Sequence, residues 1–142
     1  MQIPVFEYAY DVPGAKSFME SGKRAADKLS LFVDFQTRNS EAFLEVERRI
    51  RRGDIGKIVS AQIYYQAGRL GTHADPTDKS PQARLRNWVF DKVLSGDIIV
   101  EQNVHVLDVS DWYLGLRPEK AFGTGGRKAR VDVGDCWDHF IA

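Results

Sequence analysis

Hydrophobic and polar positions alternate along the chain with two different periods, and the change of period marks out the elements. In "EAFLEVERRIRRG", Phe43, Val46 and Ile50 recur at i, i+3 and i+7, which predicts an amphipathic helix. Asn39 or Ser40 precedes it as a potential N-cap, and Gly53 stands where a C-cap belongs. "LSLFVDFQ", residues 29–36, crowds β-branched and aromatic residues together and predicts a buried strand. In "KIVSAQIYY", residues 57–65, Val59, Ala61, Ile63 and Tyr65 alternate with Ile58, Ser60 and Gln62, the two-residue period of a strand with one apolar face.

Turn chemistry fills in the rest. Val12-Pro13-Gly14 predicts a turn, followed by a short, mostly polar helix in "AKSFMESGKRAADK". The stretch "QAGRLGTHADPTDKSPQARLR" is a long polar loop, and loops of that length in compact domains are commonly functional or disordered. "NWVFDKVL" leads into "SGDIIVEQNVHVLDVSDWYLG", residues 95–115, which the pattern predicts as one helix. Past Gly115 and Pro118, "EKAFGTGG" and "GDCWDHFIA" are strand candidates, and the sequence ends within the second. The order predicts an α+β fold, with helices packed on one face of a mostly antiparallel open sheet.

The helix at 95–115 holds the candidate chemistry. At about 100° per residue, Glu101, His105, Asp108 and Trp112 share an arc of about 60°, between two apolar flanks. A carboxylate one turn from a histidine can orient the imidazole and suit it to general acid–base work. The same spacing also serves a core histidine held by Glu101 with no chemistry, and spacing alone leaves both readings open. A metal site lacks an evident third ligand. His73 and His139 read as surface or edge residues. Gly123-Thr124-Gly125-Gly126 is not a dinucleotide fingerprint, because Lys128 stands where the third glycine is needed.

Composition narrows the classes further. Twenty Lys and Arg balance twenty Asp and Glu, so charge supplies no reason to expect nucleic acid or an anionic membrane as partner. The basic cluster Arg48, Arg49, Arg51 and Arg52 shares its helix with Glu41, Glu45 and Glu47 and reads as a solvated face. The single cysteine, Cys136, excludes an internal disulfide scaffold. The first residues lack a signal-peptide pattern, and no apolar run approaches membrane-spanning length, so a cytoplasmic protein is the expectation.

Taken together, "FQTRNSEAFLEVERRIRRGDIGKIVSAQIYY", "RNW" and "SGDIIVEQNVHVLDVSDWYLGLRPEKAFGTGGRKA" resemble the Gfo/Idh/MocA oxidoreductases, from about Asp11 onward. Members of that family carry a Rossmann domain that binds NAD or NADP, then a C-terminal domain with a large open sheet. The resemblance is to the C-terminal domain alone. It implies a single, partial domain over residues 1–142, with 1–28 as junction segment and helix and 29–142 as the sheet-and-helix core. It implies that Glu101 and His105 match the catalytic positions, and that Asp108 supports them. Arg38, Asn39, Tyr65, Arg86 and Trp88 match regions that line the sugar pocket. Phe6 falls where the family's substrate-polarising lysine is expected. The resemblance thus implies the substrate-binding, acid–base half of an NAD(P)-dependent sugar or polyol oxidoreductase that binds no cofactor by itself. The alternative is a non-catalytic binding or oligomerisation module, and in either case a homo-oligomer formed through the sheet is expected.

Overall fold

The computed structural model describes residues 11–31, 33 and 35–142. Phe6, and Phe32 and Asp34 of the strand expected at 29–36, lie outside the described residues. Two compact units emerge, and both are discontinuous in sequence. One takes in the described residues up to 33 together with Gly68–Gln102 and Phe122–Ala142; the other is Phe35–Ala67 with Asn103–Ala121.

In the first unit, α1 spans Val12–Ala25. Its cap is Asp11, whose carboxylate accepts from the Gly14 amide at 2.7 Å, and Lys23 and Arg24 close the last turn. The turn expected at Val12-Pro13-Gly14 is therefore the first turn of the helix itself, where proline's missing N–H costs nothing. The polar loop after Gly68 is shorter than expected, because Ser80-Pro81 starts α3, Pro81–Arg86. The Ser80 hydroxyl accepts from the Ala83 amide at 3.2 Å. A 3-10 turn at Trp88–Phe90 then leads to α4, Lys92–Ser95, capped by the Asp91 carboxylate on the amides of Val93 and Leu94.

The single helix expected at 95–115 is broken twice. Gly96 and Asp97 both take positive φ, at +73° and +71°, and separate α4 from α5, Asp97–Glu101. Glycine adopts that conformation freely, but an aspartate needs support. Asp97 finds it. Its Oδ1 accepts from the Trp137 and Ile98 amides, both at 2.8 Å, and its Oδ2 pairs with Lys92 at 3.3 Å. The second break falls at Gln102–Asn103, after which α6 runs from Val104 to Leu114.

The two C-terminal strand candidates pair. β1, Thr124–Gly126, runs antiparallel to β2, His139–Ile141, with Gly125 opposite Phe140. Gly125 is required by close approach, since a Cβ there would lie 2.7 Å from the Trp137 ring and nearer still to the His139 carbonyl. The apolar centre of this unit is Phe90 and Cys136, each 1 % exposed, with Ala83 and Val133. The Arg130 guanidinium stacks on the Phe90 ring at 4.8 Å while donating to the carbonyls of Cys136 and Trp137.

The second unit contains α2, Glu41–Arg52, which ends as expected on Gly53 at φ +86°. Arg48 and Arg49 pair with Glu45, Arg51 with Glu47, and Arg52 with Asp54, so the basic cluster is a self-neutralised solvated face. Helix α6 is tied to α2 by the Tyr113 hydroxyl, which donates to the Phe43 carbonyl at 3.0 Å. Burial pushes the Tyr113 phenol above its ordinary pKa, and the charge of Glu47 adds to this. Residues 57–65 form no strand. Among the described residues no backbone hydrogen bond joins 58–64 to another segment, and a strand needs such a ladder. The class is α+β, with helices and a two-stranded antiparallel ladder. No helix among the described residues is long and apolar enough to cross a membrane.

Candidate functional site

The second unit contains five of the sequence-predicted site residues, Arg38, Asn39, Tyr65, His105 and Asp108. A 3-10 turn at Gln36–Asn39 places Arg38 against α6. Its Nε and Nη2 donate to the two Asp108 carboxylate oxygens, both at 2.8 Å, a bidentate pair across seventy residues of sequence. The guanidinium also lies 5.2 Å from the Trp112 ring centroid, so the cation is stacked as well as paired. The hydrogen bond to Asp108 holds the Arg38 guanidinium above its ordinary pKa. Asn39 ends the same turn with its side chain exposed.

His105 lies on the first turn of α6, three residues before Asp108. Two aromatic rings flank it. Phe35 presents its ring nearly perpendicular to the imidazole at 6.2 Å between centroids, and Tyr65 lies at 6.0 Å, tilted by 34°. The His105 Nδ1 is buried and meets no hydrogen-bond partner among the described residues. Thr37 Oγ1 is buried in the same condition. A sealed ring nitrogen without a partner is unusual and costly, which marks the position as one to explain.

Glu101, Arg86 and Trp88 belong to the first unit. Glu101 is the last residue of α5, half-buried, and its carboxylate accepts from the side-chain amide of Gln102. Arg86 ends α3 and is exposed, and Trp88, half-buried, opens the following 3-10 turn. Between them sits Asn87, which the sequence pattern does not single out. It is 6 % exposed, and its Oδ1 accepts from the amides of His73 and Ala74 at 2.8 and 3.1 Å. Its Nδ2 donates to the Ala74 carbonyl at 3.2 Å. The amide thus anchors the polar loop, and only its position inside "RNW" hints at importance.

Asn87 also lines an open cleft of about 320 Å³, with Lys79, Arg84, Asp91 and Asp135 at its rim. Arg84 is spent on Asp91, whose carboxyl it holds below the usual range. Asp135 accepts from the Lys92 amide. Sequence reasoning also misses Phe35, Thr37 and Trp112 as neighbours of the histidine and arginine. Trp112 carries a signal, since it shares the arc of His105 and Asp108.

The glycines of "GTGG" bear on nucleotide binding. A phosphate cradle needs backbone amides open to a ligand, whereas Gly125 is closed against Trp137 and His139 within the β1–β2 ladder. These glycines therefore do not form such a cradle. Among them, no three His, Cys, Asp or Glu side chains form a metal-binding group.

Compared with known proteins, residues 43–141 match the family described as GFO/IDH/MocA C-terminal domain. The match includes Tyr65, Arg86, Trp88, Glu101, His105 and Asp108, while Arg38 and Asn39 precede it. No curated protein and no solved structure matches the chain.

Proposed function

This chain belongs to the GFO/IDH/MocA C-terminal domain family, and from that premise we propose that it is the substrate-side, acid–base half of a sugar or polyol oxidoreductase. The observation that carries this reading is the family match over residues 43–141, which takes in both Glu101 and His105. The α6 cluster supports it. A half-buried imidazole between two aromatic rings, with a carboxylate on the same helix face and its paired cation on the adjoining turn, suits a polyhydroxyl compound, which offers apolar C–H faces and many hydroxyls. In this reading His105 exchanges a proton with a substrate hydroxyl, and Asp108 and Tyr65 shape its surroundings. NAD or NADP is held elsewhere than on the described residues of this chain.

Titrating sugars and polyols against tryptophan fluorescence tests the proposal. We expect saturable quenching by at least one polyol, lost in His105→Ala, and no saturation with NADH or NADPH. Failure of every polyol to saturate refutes the substrate-binding role. Tight saturable NADH binding refutes the placement of the cofactor elsewhere.

The extended segment 58–64 favours a second reading, that of an oligomerisation module. Val59 and Tyr64 are 88 % and 74 % exposed, and among the described residues no backbone hydrogen bond engages 58–64, which suits that segment to pairing with a strand from a second copy. Light scattering across a wide concentration range then shows a dimer or larger species. A monodisperse monomer throughout removes this reading.

A further inference from the structure

We infer that Arg38 and Asp108 are positioning residues for His105: their ion pair pins the 3-10 turn to α6, holds Phe35 against the imidazole, seals Nδ1, and so places the neutral ring's proton on Nε2. The chain of contacts is short. Arg38 is gripped at both carboxylate oxygens of Asp108 and stacked on Trp112, which fixes the turn in rotation as well as in distance. Phe35 immediately precedes that turn and meets the His105 ring edge-on. The ring is therefore oriented by aromatic packing, in place of the usual hydrogen bond at Nδ1.

The tautomer follows from the sealing. A buried N–H without an acceptor forfeits a donor's hydrogen bond outright, and orphaned buried donors are rarer in proteins than orphaned acceptors. The Nε2–H form is also the intrinsically preferred tautomer of neutral imidazole. Nδ1, with no acceptor among the described residues, is left as a bare lone pair. Nε2 then offers a hydrogen-bond donor to a substrate oxygen. Accepting a hydroxyl proton there first requires the ring proton to move to Nδ1 and find an acceptor. That consequence for catalysis rests on the function proposed above, whereas the tautomer itself does not.

Nitrogen-15 histidine labelling of the full chain reads the tautomer directly. The three histidines are assigned with His73→Gln and His139→Gln, and ring nitrogen shifts are taken on the high-pH plateau. We expect the wild-type His105 to show a protonated Nε2 and an acceptor-type Nδ1. Arg38→Ala should move it toward averaged shifts, with the fold retained by circular dichroism. Exchanging the pair, Arg38→Asp with Asp108→Arg, should restore the wild-type pattern. If Arg38→Ala does not fold, Arg38→Lys, which keeps the charge without the two-pronged grip, is read in its place. A protonated Nδ1 in the wild type overturns the inference. So does a folded Arg38 variant with an unchanged pattern, or a folded exchange variant that fails to restore it. The tautomer is read on the ligand-free protein and the polyol titration on the wild type, so the two proposals fail separately.

Discussion

Gly134→Ala provides the sharpest test of the packing in the first unit. Gly134 sits at φ +60°, where an alanine costs about 1–2 kcal/mol. A Cβ built there would lie 2.5 Å from the Phe90 carbonyl carbon and 2.7 Å from Phe90 Cβ, and would overlap the carbonyl oxygen. Phe90 cannot retreat cheaply. It is 1 % exposed, its ring is stacked under Arg130, and its carbonyl accepts from Asp135 and Cys136 at 2.9 and 3.2 Å. Overpacking costs about 1–3 kcal/mol, and displacing the carbonyl gives up two hydrogen bonds of about 1 kcal/mol each. The total is about 4–7 kcal/mol, against a typical domain stability of about 5–15 kcal/mol. Urea unfolding followed by tryptophan fluorescence should show the midpoint falling by at least about 2 M for an m-value of about 2 kcal/mol/M. Gly71→Ala serves as control, because a methyl there would meet nothing within 4 Å and its φ is not in the left-handed range. That change should fall within about 0.5 kcal/mol of wild type, or stabilise slightly. A Gly134→Ala midpoint within about 0.3 M of wild type would refute the packing argument.

Three further outcomes are expected. The Asp138 carboxylate accepts from the amides of Lys128, Ala129 and Arg130 and from His139, and these bonds hold its pKa well below the usual range. A depressed folded pKa gives stability that is complete above the unfolded value of about 4 and is lost as pH falls toward the folded one. Asp138→Asn should therefore lower Tm at pH 7 and flatten its fall on acidification below about pH 4; an unchanged acid limb contradicts the assignment. Burial pushes the Cys136 thiol up to about 11, so its reaction with a disulfide reagent at about pH 8 should wait on unfolding; rapid labelling of the native protein would show the site to be open. Asn87→Ala removes the buried acceptor of the His73 and Ala74 amides, at a cost of about 1–3 kcal/mol. Trypsin should then cut faster after Arg69 and Lys79, and wild-type cleavage rates would count against the anchoring role.

What is legible in the sequence is what local chemistry decides. Helix α2 is set by an apolar period and a left-handed Gly53, and the β1–β2 segments by their composition, all within a few residues. The two breaks in 95–115 are not legible, because the first depends on Asp97 meeting the Trp137 amide forty residues on. Arg38 and Asp108 are each reached through family resemblance, yet their pairing is not, since they lie seventy residues apart. Arg86 and Trp88 stand out beside Asn87 because long side chains advertise contact. The short amide does more, and its partners lie thirteen and fourteen residues upstream.

The many ion pairs of the second unit are not equivalent, and the difference singles out Arg38–Asp108. The pairs of α2 join side chains within the helix or just past its C-terminal end, and their arginines stand 57–68 % exposed. Water replaces such partners readily, so the pairs contribute little and fix nothing beyond their own helix. Arg38 and Asp108 join separate elements, and the carboxylate is only 13 % exposed. Removing the arginine would leave Asp108 a partly desolvated charge stripped of its cation, a far costlier state than a bare surface carboxylate. The same change would release the turn that carries Thr37 and is entered through Phe35, beside the orphaned polar atoms of this unit. Charge pairing here thus sets geometry as well as stability, and the ring tautomer reports the geometry, which a melting temperature alone does not.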